Sequence, residues 1–413
     1  LLFLSLSISA QVDRSKMPEP GPAPKINIGT PEKFTLPNGL QVLVVENHKL
    51  PRVSLTLDID NPPMAKGDKK GVEGFVGGML GTGSTTISKE KFDQEVDYLG
   101  ANISFGSQSG FASSLSKYFP RVLELMADAA FNPVFNQEEF DKQMKQSLDG
   151  IKNSENSVTA IAGRVDNLLT YGKNHPYGEF TSETTLKNIT LQDVKDLYNK
   201  SFKPNNAYLV IMGDVDFKTV KKQVTKLFGN WQKGEIATST LPEIKNPKTT
   251  EINFINMPNA VQSNISVTNN VNLKQNESDY FAALMANNIL GGGGEGYLFK
   301  NLREDKGYTY GAYSSLGADR YGVSRFNASA KVRNAVTDSA VVEFLKEIKR
   351  IRTEPVDPQT LKDAKAKYIG NFVMALERPQ TIANYALNIK LNNLPEDFYT
   401  NYLENINKVS VED

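Results

Sequence analysis

Residues 298–310, LFKNLREDKGYTY, combine helix, turn and strand signals within thirteen positions. They follow a glycine run at 291–296, GGGGEG, which predicts a flexible turn into a short helix. Lys306-Gly307 is a typical helix stop, because glycine readily takes the left-handed conformation that ends a helix. The tyrosine-rich residues 308–313 then predict a strand. A turn, a short helix and a strand are therefore expected in close succession.

The composition excludes several kinds of site. The chain has 413 residues, no cysteine and only two histidines, His48 and His175. Without cysteine there is no disulfide, thiolate metal site or cysteine nucleophile, and neither histidine has a second one at metal-ligand spacing. Basic and acidic residues balance at 47 each, so we expect no nucleic-acid partner. His175, in the sequence His-Pro-Tyr-Gly, is predicted to shape a turn, and His48 to lie in an exposed loop.

The N-terminal residues predict export. Residues 1–10, LLFLSLSISA, are typical of the apolar core of a secretory signal that ends at a small residue, and they are too short to span a bilayer. A buried apolar strand is the alternative for this segment. Residues 11–24 are polar and proline-rich, like a mature N-terminal tail. We expect an exported, periplasmic protein with no integral membrane segment in the mature chain.

A second unusual stretch is residues 71–84, GVEGFVGGMLGTGS. It lacks the residue order of a phosphate-binding loop. Gly74, Gly77, Gly78 and Gly81 are spaced i, i+3, i+4 and i+7, which places them on one face if the segment is helical. Each interior glycine costs a helix about 0.5–1 kcal/mol relative to alanine. Either the segment is a loop or poorly formed helix, or it is a helix that needs a bare face for close packing or for an open groove.

Residues 71–84 resemble the inverted-zincin motif of the pitrilysin, insulysin and mitochondrial-processing-peptidase family. In that family a helix carries His-x-x-Glu-His, followed by methionine and a Gly-Thr or Gly-Ser turn. Aligning the methionine and the turn places the two histidine positions at Gly74 and Gly78 and the catalytic glutamate at Gly77. The third zinc ligand of the family, a glutamate on a later helix, aligns with Gly150.

All four chemical positions are therefore glycine. A hydrolytic zinc site needs three protein ligands and a position for water, and glycine has no side chain to provide a ligand or a base. The resemblance implies that this chain has no catalytic residue and no metal or other cofactor of its own. It also predicts an open, metal-free groove beside Gly74, Gly77 and Gly78.

Residues 298–310 resemble the second signature of the same family, Leu-Phe-x-x-Leu-Arg-Glu-x-x-Gly-x-x-Tyr, with every named residue present. In the family this arginine and tyrosine reach into the substrate chamber near the zinc site of the opposite half. Arg303 and Tyr310 hold those positions, so the resemblance implies that they bind substrate. The alternatives are a surface salt bridge for Arg303 and a packed ring for Tyr310. The glycines at 291–294 either start the helix or contact the peptide.

The order of predicted elements mixes strands and helices and favours an α+β fold. The resemblance implies two homologous domains, each a mostly antiparallel sheet with helices packed on one face. Strands are predicted at 40–45, 53–59 and 207–212, helices at 121–130, 137–153 and 158–171, and a helix cap at 190–193.

Two short internal similarities predict a duplication. Residues 132–137 resemble 354–359 at an offset of 222, and residues 189–193 resemble 409–413 at an offset of 220. We expect a signal remnant and tail at 1–30, an N-terminal peptidase-like domain at 31–235, a linker at 236–250 and a C-terminal peptidase-like domain at 251–413. We expect the C-terminal domain to be truncated at its C-terminus by roughly one helix–strand–helix unit, about forty residues.

The resemblance implies a non-catalytic subunit of a heterodimeric zinc peptidase. A paralogue with an intact His-x-x-Glu-His would hold the zinc, and two subunits would close around an unfolded or extended peptide. This chain would supply Arg303 and Tyr310 to the partner's site. The alternative is a peptide-binding or structural scaffold with no proteolytic role. An active peptidase with other ligands is a third hypothesis, which the lack of paired histidines or cysteines disfavours.

Overall fold

The computed structural model describes residues 31–413, and within them the strands form two sheets. The strands are β1 (Glu32–Thr35), β2 (Gln41–Glu46), β3 (Arg52–Ile59), β4 (Asn102–Phe105), β5 (Ser109–Leu115), β6 (Ala207–Gly213), β7 (Gln262–Val271), β8 (Thr309–Leu316) and β9 (Ser324–Arg333). The first sheet has the order β1-β2-β6-β3-β5-β4, and the second β7-β9-β8.

Strand direction differs between the two sheets. In the first, β2 and β6 are parallel, whereas every other neighbouring pair is antiparallel. The second sheet is wholly antiparallel. The predicted α+β class is therefore confirmed, as a mixed sheet plus an antiparallel sheet.

Helices connect and cover the strands. They are α1 (Val72–Met79), α2 (Lys89–Tyr98), α3 (Phe119–Phe131), α4 (Gln137–Glu155), α5 (Val158–Tyr171), α6 (Glu183–Lys187), α7 (Leu191–Ser201), α8 (Phe217–Phe228), α9 (Tyr280–Gly291), α10 (Tyr297–Phe299), α11 (Thr337–Thr353), α12 (Pro358–Ala375), α13 (Pro379–Leu391) and α14 (Tyr402–Lys408). A π-helical segment, Lys300–Asp305, continues α10.

The first sheet is covered on both faces. Its inner face packs against α1, α3, α7 and α8 in a core that includes Leu57, Phe75 and Phe228. The other face of β2 and β6 packs against α13, where Ala383 is fully buried. The buried helix residues of the first half therefore lie on one face of their sheet, as predicted, and a helix of the second half covers the other face. Burial on both sides explains why β2 and β6 are continuous apolar runs.

The two halves also contact each other through polar groups. Arg320 forms an ion pair with Asp60, and Arg325 forms one with Asp166 of α5. Helix α5 packs beside β7. The first half thus supports the edge of the second sheet directly.

Several predictions meet the structure only in part. The signal segment 1–10 and the tail 1–30 lie outside the described residues. The domain boundaries stay a prediction, although residues 236–250 have no helix or strand. The paired bonds between Thr190 and Asp193 recur between Ser410 and Asp413, as the internal repeat predicts. In residues 31–413, the helices are all too short or too polar to cross a bilayer.

Candidate functional site

Helix α1 carries three of the glycines singled out from the sequence. Val72, Phe75, Val76 and Met79 are buried at i, i+3, i+4 and i+7, and this apolar stripe anchors the helix on the sheet. Gly74, Gly77 and Gly78 lie between them, and we call these three the glycine face. The helical alternative for residues 71–84 is therefore confirmed. Gly81 does not extend that face, because the helix ends at Met79 and Gly81 takes a left-handed φ of 82° beyond it.

Gln143 of α4 fills the space beside Gly78. Its Nε2 donates a hydrogen bond to the Gly74 carbonyl at 2.7 Å. A Cβ placed on Gly78 would lie only 2.3 Å from the same nitrogen. The rings of Phe140 and Phe75, with centroids 5.1 Å apart, hold the two helices together near this contact. A side-chain amide therefore stands where a side chain at position 78 would otherwise project.

Gly77 is closed off by the main chain. A Cβ there would come within 3.0 Å of the backbone of Gly106, in the turn between β4 and β5. By contrast, a Cβ on Gly74 would meet no atom within 4 Å. Gly77 is buried, whereas Gly74 and Gly78 are exposed. The predicted groove is therefore wrong at Gly77, because the main chain of the β4–β5 turn lies where a side chain would project, and it stays a prediction at Gly74 and Gly78.

Gly150 is not brought against the glycine face. It follows Gln143 by seven residues on α4, so it lies on nearly the same side of that helix about 10 Å further along. It is exposed, and a Cβ there would meet no atom within 4 Å. Its alignment with the third zinc ligand stays a prediction. The residue that does contact the glycine face is Gln143, which the sequence interpretation missed.

The donors that zinc requires are missing from these positions. The glycine face offers only backbone carbonyls, of which Gly74 already accepts from Gln143. Across residues 31–413, no group of three or more histidine, aspartate and glutamate side chains is arranged to hold a metal ion. The zinc ion that catalytic members of the resembled family hold at these positions therefore does not fit the glycine face.

Arg303 and Tyr310 lie next to each other at the surface, and their predicted binding of substrate stays a prediction. The guanidinium carbon of Arg303 lies 5.6 Å from the centre of the Tyr310 ring, within cation–π range. Both side chains are exposed, and Tyr310 is 86% exposed. Leu298 and Leu302 on the opposite side of the same segment are fully buried in the core of the second half. Tyr310 is not packed inside, and Arg303 forms no salt bridge with any of residues 31–413. We call these two residues the arginine–tyrosine pair.

The preceding glycines serve close packing. A Cβ on Gly291 would lie 2.4 Å from the backbone nitrogen of Ser314 on β8, and one on Gly296 would lie 2.9 Å from the Gly291 Cα. Glycine at these two positions lets α9, α10 and β8 approach each other. The turn thereby brings the arginine-bearing segment against the strand that carries Tyr310.

The two histidines lie apart from both regions. His175 is 1% exposed and stacks on Tyr171, and its Nδ1 accepts from the Tyr177 N–H at 3.1 Å. It therefore shapes a turn, as predicted, and its burial lowers its pKa. His48 is exposed and bonds to Asp214 at 2.7 Å, and this hydrogen bond raises the pKa of His48.

The two sheets and their covering helices have the same fold as solved structures of this kind. The chain is similar to the crystal structure of a peptidase M16 inactive domain from Pseudomonas fluorescens. The two share 22% identity and a TM-score of 0.82, over 93% of this chain and 92% of that one. Residues 41–174 match the family model described as "Insulinase (Peptidase family M16)", and residues 188–368 match "Peptidase M16 inactive domain". The chain belongs to the M16 peptidase (insulinase) family and covers both its N-terminal and its C-terminal domains.

Relatives with curated names fall into different kinds. The chain is 22% identical to an "Uncharacterized zinc protease YmxG" of Bacillus subtilis, over 84% of each chain. It is also 22% identical to the "Probable inactive metalloprotease YmfF" of the same organism, over 70% of this chain and 68% of that one. A third relative, 22% identical over 83% of this chain and 78% of its own, is "Mitochondrial-processing peptidase subunit beta" of Saccharomyces cerevisiae. The family thus includes proteases, proteins named as inactive, and a member that is one subunit of a peptidase.

Proposed function

We propose that this chain is a non-catalytic subunit of a heterodimeric zinc peptidase. A partner with an intact His-x-x-Glu-His supplies the zinc and the base, and this chain supplies Arg303 and Tyr310 together with half of a peptide-enclosing chamber. The observation that carries the proposal is a contrast within the molecule. The glycine face has no side chain that could bind a metal or act as a base, and the β4–β5 turn closes it at Gly77, whereas the arginine–tyrosine pair is assembled and exposed.

The chemistry of the arginine–tyrosine pair suits a peptide. The guanidinium and phenol groups donate hydrogen bonds that a peptide carbonyl accepts. They also suit the oxyanion that forms when water attacks that carbonyl, because donors aimed at developing charge stabilise the transition state. Stacking on Tyr310 restricts the guanidinium, so less freedom is lost when it binds. A relative named as a peptidase subunit supports a paired arrangement.

The test is reconstitution with a paralogue from the same genome that retains His-x-x-Glu-His. The purified pair should bind one zinc and cleave an unfolded fluorogenic peptide, while this chain alone should do neither. Arg303→Ala should lower kcat/KM about 10²-fold, and Tyr310→Phe should lower it by a smaller factor. Arg352→Ala, at an exposed arginine on α11, is the matched control and should leave turnover unchanged.

The outcomes separate the proposal from its alternatives. Zinc binding and cleavage by this chain alone would overturn it in favour of an active peptidase. Assembly without any effect of Arg303→Ala would favour a scaffold with no proteolytic role. Loss of turnover with assembly intact, measured by size-exclusion chromatography, is the result that we expect.

We also propose that the protein is exported to the periplasm. The support is the apolar segment at 1–10 followed by a polar, proline-rich tail. Residues 1–30, provided with an initiating methionine and fused to a reporter that is active only outside the cytoplasm, should yield an active, processed reporter. An inactive, unprocessed fusion would overturn this proposal without touching the previous one.

A further inference from the structure

The segment that carries Arg303 has a rare backbone conformation. After α10 ends at Phe299, residues Lys300–Asp305 form a π-helix, in which the Lys306 N–H donates to the Asn301 carbonyl at 3.0 Å. Such wide turns are uncommon and occur frequently at functional sites. Here the segment keeps Leu302 in the core while Arg303 stays exposed beside Tyr310. Something must hold this turn in place, since its backbone geometry is intrinsically less favourable than an α-helix.

Asn301 provides that hold from behind the turn. Its amide nitrogen donates to the Glu343 carboxylate at 2.8 Å and to the Glu347 carboxylate at 2.7 Å. The two glutamates lie one turn apart on α11 and face the same amide. Asn301 is 7% exposed and Glu347 is 4% exposed, so water contributes little to either. We call Asn301, Glu343 and Glu347 the asparagine cluster.

The asparagine cluster fixes the orientation of the amide. Both N–H groups point at acceptors, and the amide oxygen is buried with no hydrogen-bond partner within residues 31–413. A rotation that exchanged nitrogen and oxygen would direct the oxygen at two carboxylates, which repel it. Glu347 is buried, and the Asn301 amide donates the shortest of its hydrogen bonds, at 2.7 Å compared with 3.4 Å for Arg350, so loss of that donor is costly. The side chain therefore has one acceptable position, and the π-helical backbone is tied to it.

Two further contacts flank the asparagine cluster along α11. Arg350 lies over the Tyr297 ring, with 4.1 Å between the guanidinium carbon and the ring centre, and it lies 3.4 Å from Glu347. Lys306 lies 3.8 Å from Glu343 at the other end of the segment. The segment is thus attached to α11 at its start, its middle and its end, with Asn301 in the middle.

We infer that Asn301 is a positioning residue for the peptide-binding arginine. Together with Glu343 and Glu347, it holds the π-helical turn so that Arg303 meets Tyr310 at the surface. This inference rests on the proposed function for its consequence in turnover. Its structural content, that the amide of Asn301 determines where Arg303 lies, is measurable in this chain alone.

The first experiment reads the position of Arg303 directly. In protein labelled with [15N]arginine, the side-chain Nε–H resonance of Arg303 is identified by its loss in Arg303→Lys. Its shift by the neighbouring ring is defined by the change in Tyr310→Ala. Asn301→Leu, which is similar in size but has no donor, should abolish most of that ring shift. Asn301→Ser, whose single hydroxyl cannot reach both carboxylates, should reduce it and keeps the test available if Asn301→Leu does not fold.

The matched control is Asn388→Leu. Asn388 also donates from one amide nitrogen to two acceptors in the second half, Gln275 at 2.9 Å and Tyr399 at 2.6 Å. It lies on α13, and neither of these two hydrogen bonds involves the arginine-bearing segment. Its replacement should destabilise the fold comparably and leave the ring shift of Arg303 unchanged.

The second experiment measures the consequence in the reconstituted pair. Asn301→Leu should lower kcat/KM at least about tenfold, because small misplacements of a positioned group have large kinetic effects. Asn388→Leu should lower it less than about twofold. An unchanged ring shift in both Asn301 variants overturns the inference. A turnover that responds to Arg303→Ala but not to Asn301→Leu also overturns it, while the proposed function stands. A turnover insensitive to Arg303→Ala removes the proposed function, and the ring shift then decides the inference alone.

Discussion

The glycine face of α1 and the arginine–tyrosine pair differ in the hydrogen-bonding groups that they offer to a ligand. On α1, the polar groups that remain are used internally, since the Gly74 carbonyl already accepts from Gln143. On the second half, the guanidinium of Arg303 and the hydroxyl of Tyr310 face outward. The first region offers no side-chain group and is covered by main chain at Gly77, whereas both side chains of the second region are exposed.

The support behind each region differs in the same sense. The glycine face is covered by a flexible amide and by a turn of backbone. The segment that carries Arg303 is held from behind by the asparagine cluster, which leaves the arginine–tyrosine pair uncovered. A fold that only needed to be stable would gain little from burying Glu347 behind an exposed arginine, because buried charges are expensive unless fully paired. This contrast can be tested at each of its contacts.

The largest effect is expected for Gly77→Glu. The new side chain would start 3.0 Å from the backbone of Gly106 and would bring a carboxylate into a closed site. Overpacking together with a buried charge should lower the free energy of unfolding by at least about 3 kcal/mol. Chemical denaturation followed by circular dichroism measures this change.

Gly74→Glu is the matched control for that prediction. It lies one turn earlier on the same helix, in open space, and in the first turn, where a negative charge is favourable. We expect no loss, and a gain of up to about 1 kcal/mol from removing a helical glycine. Equal losses at the two positions would show that the β4–β5 turn does not close the site as described.

A smaller effect on the free energy of unfolding is expected for Gly78→His and Gln143→Ala, which we compare singly and in combination. The histidine must displace the Gln143 amide and thereby break its bond to the Gly74 carbonyl. Each single variant should lose about 1 kcal/mol for that one bond. The double variant should lose it only once, which gives a coupling free energy of about 1 kcal/mol in a double-mutant cycle.

The control for the cycle is Gly163→His on α5, where a Cβ would meet no atom within 4 Å. Its effect should add to that of Gln143→Ala without coupling. Additivity at Gly78 as well would mean that Gln143 does not occupy the space beside that glycine.

Local sequence pattern predicted the regular elements well. The helix expected at 158–171 is α5 with the same bounds, and the strand expected at 207–212 is β6. The cap expected at 190–193 forms with both reciprocal bonds. These features depend on residues close together in the chain, so a short window contains their causes. The contact between Arg303 and Tyr310 also involves residues close in the sequence, because Tyr310 follows Arg303 by only seven positions.

The parts that were missed depend on distant residues. Gln143 reaches a glycine 69 positions away, and Asn301 reaches carboxylates 42 and 46 positions away. The open groove was predicted because glycine has no side chain. The space beside Gly77 and Gly78 is occupied by the β4–β5 turn and by Gln143 of α4, which are distant in the sequence. The one available signal was Glu343 and Glu347 at i, i+4 beside the buried Phe344, which indicates carboxylates close to a core.

The smallest effect concerns pH and separates charge from geometry in the asparagine cluster. The hydrogen bond from Asn301 holds the pKa of Glu343 below its usual value. A depressed pKa in the folded protein means that the stabilisation is present above the unfolded pKa of about 4.3 and is lost as pH falls through the folded value. Glu343→Gln keeps an acceptor but removes the charge, so the native protein should exceed it in unfolding free energy by about 1 kcal/mol at pH 7.

That difference should shrink toward zero as the pH falls below about 4, when denaturation curves of the two proteins are compared at each pH. Because the amide still has an oxygen to bind, the ring shift of Arg303 should survive in Glu343→Gln while it is lost in Asn301→Leu. A difference in unfolding free energy that stays constant down to pH 3 would mean that the bond to Asn301 does not depend on the charge of Glu343. The hydrogen-bonding geometry of the Asn301 amide, and not the charge of Glu343, would then keep Arg303 beside Tyr310.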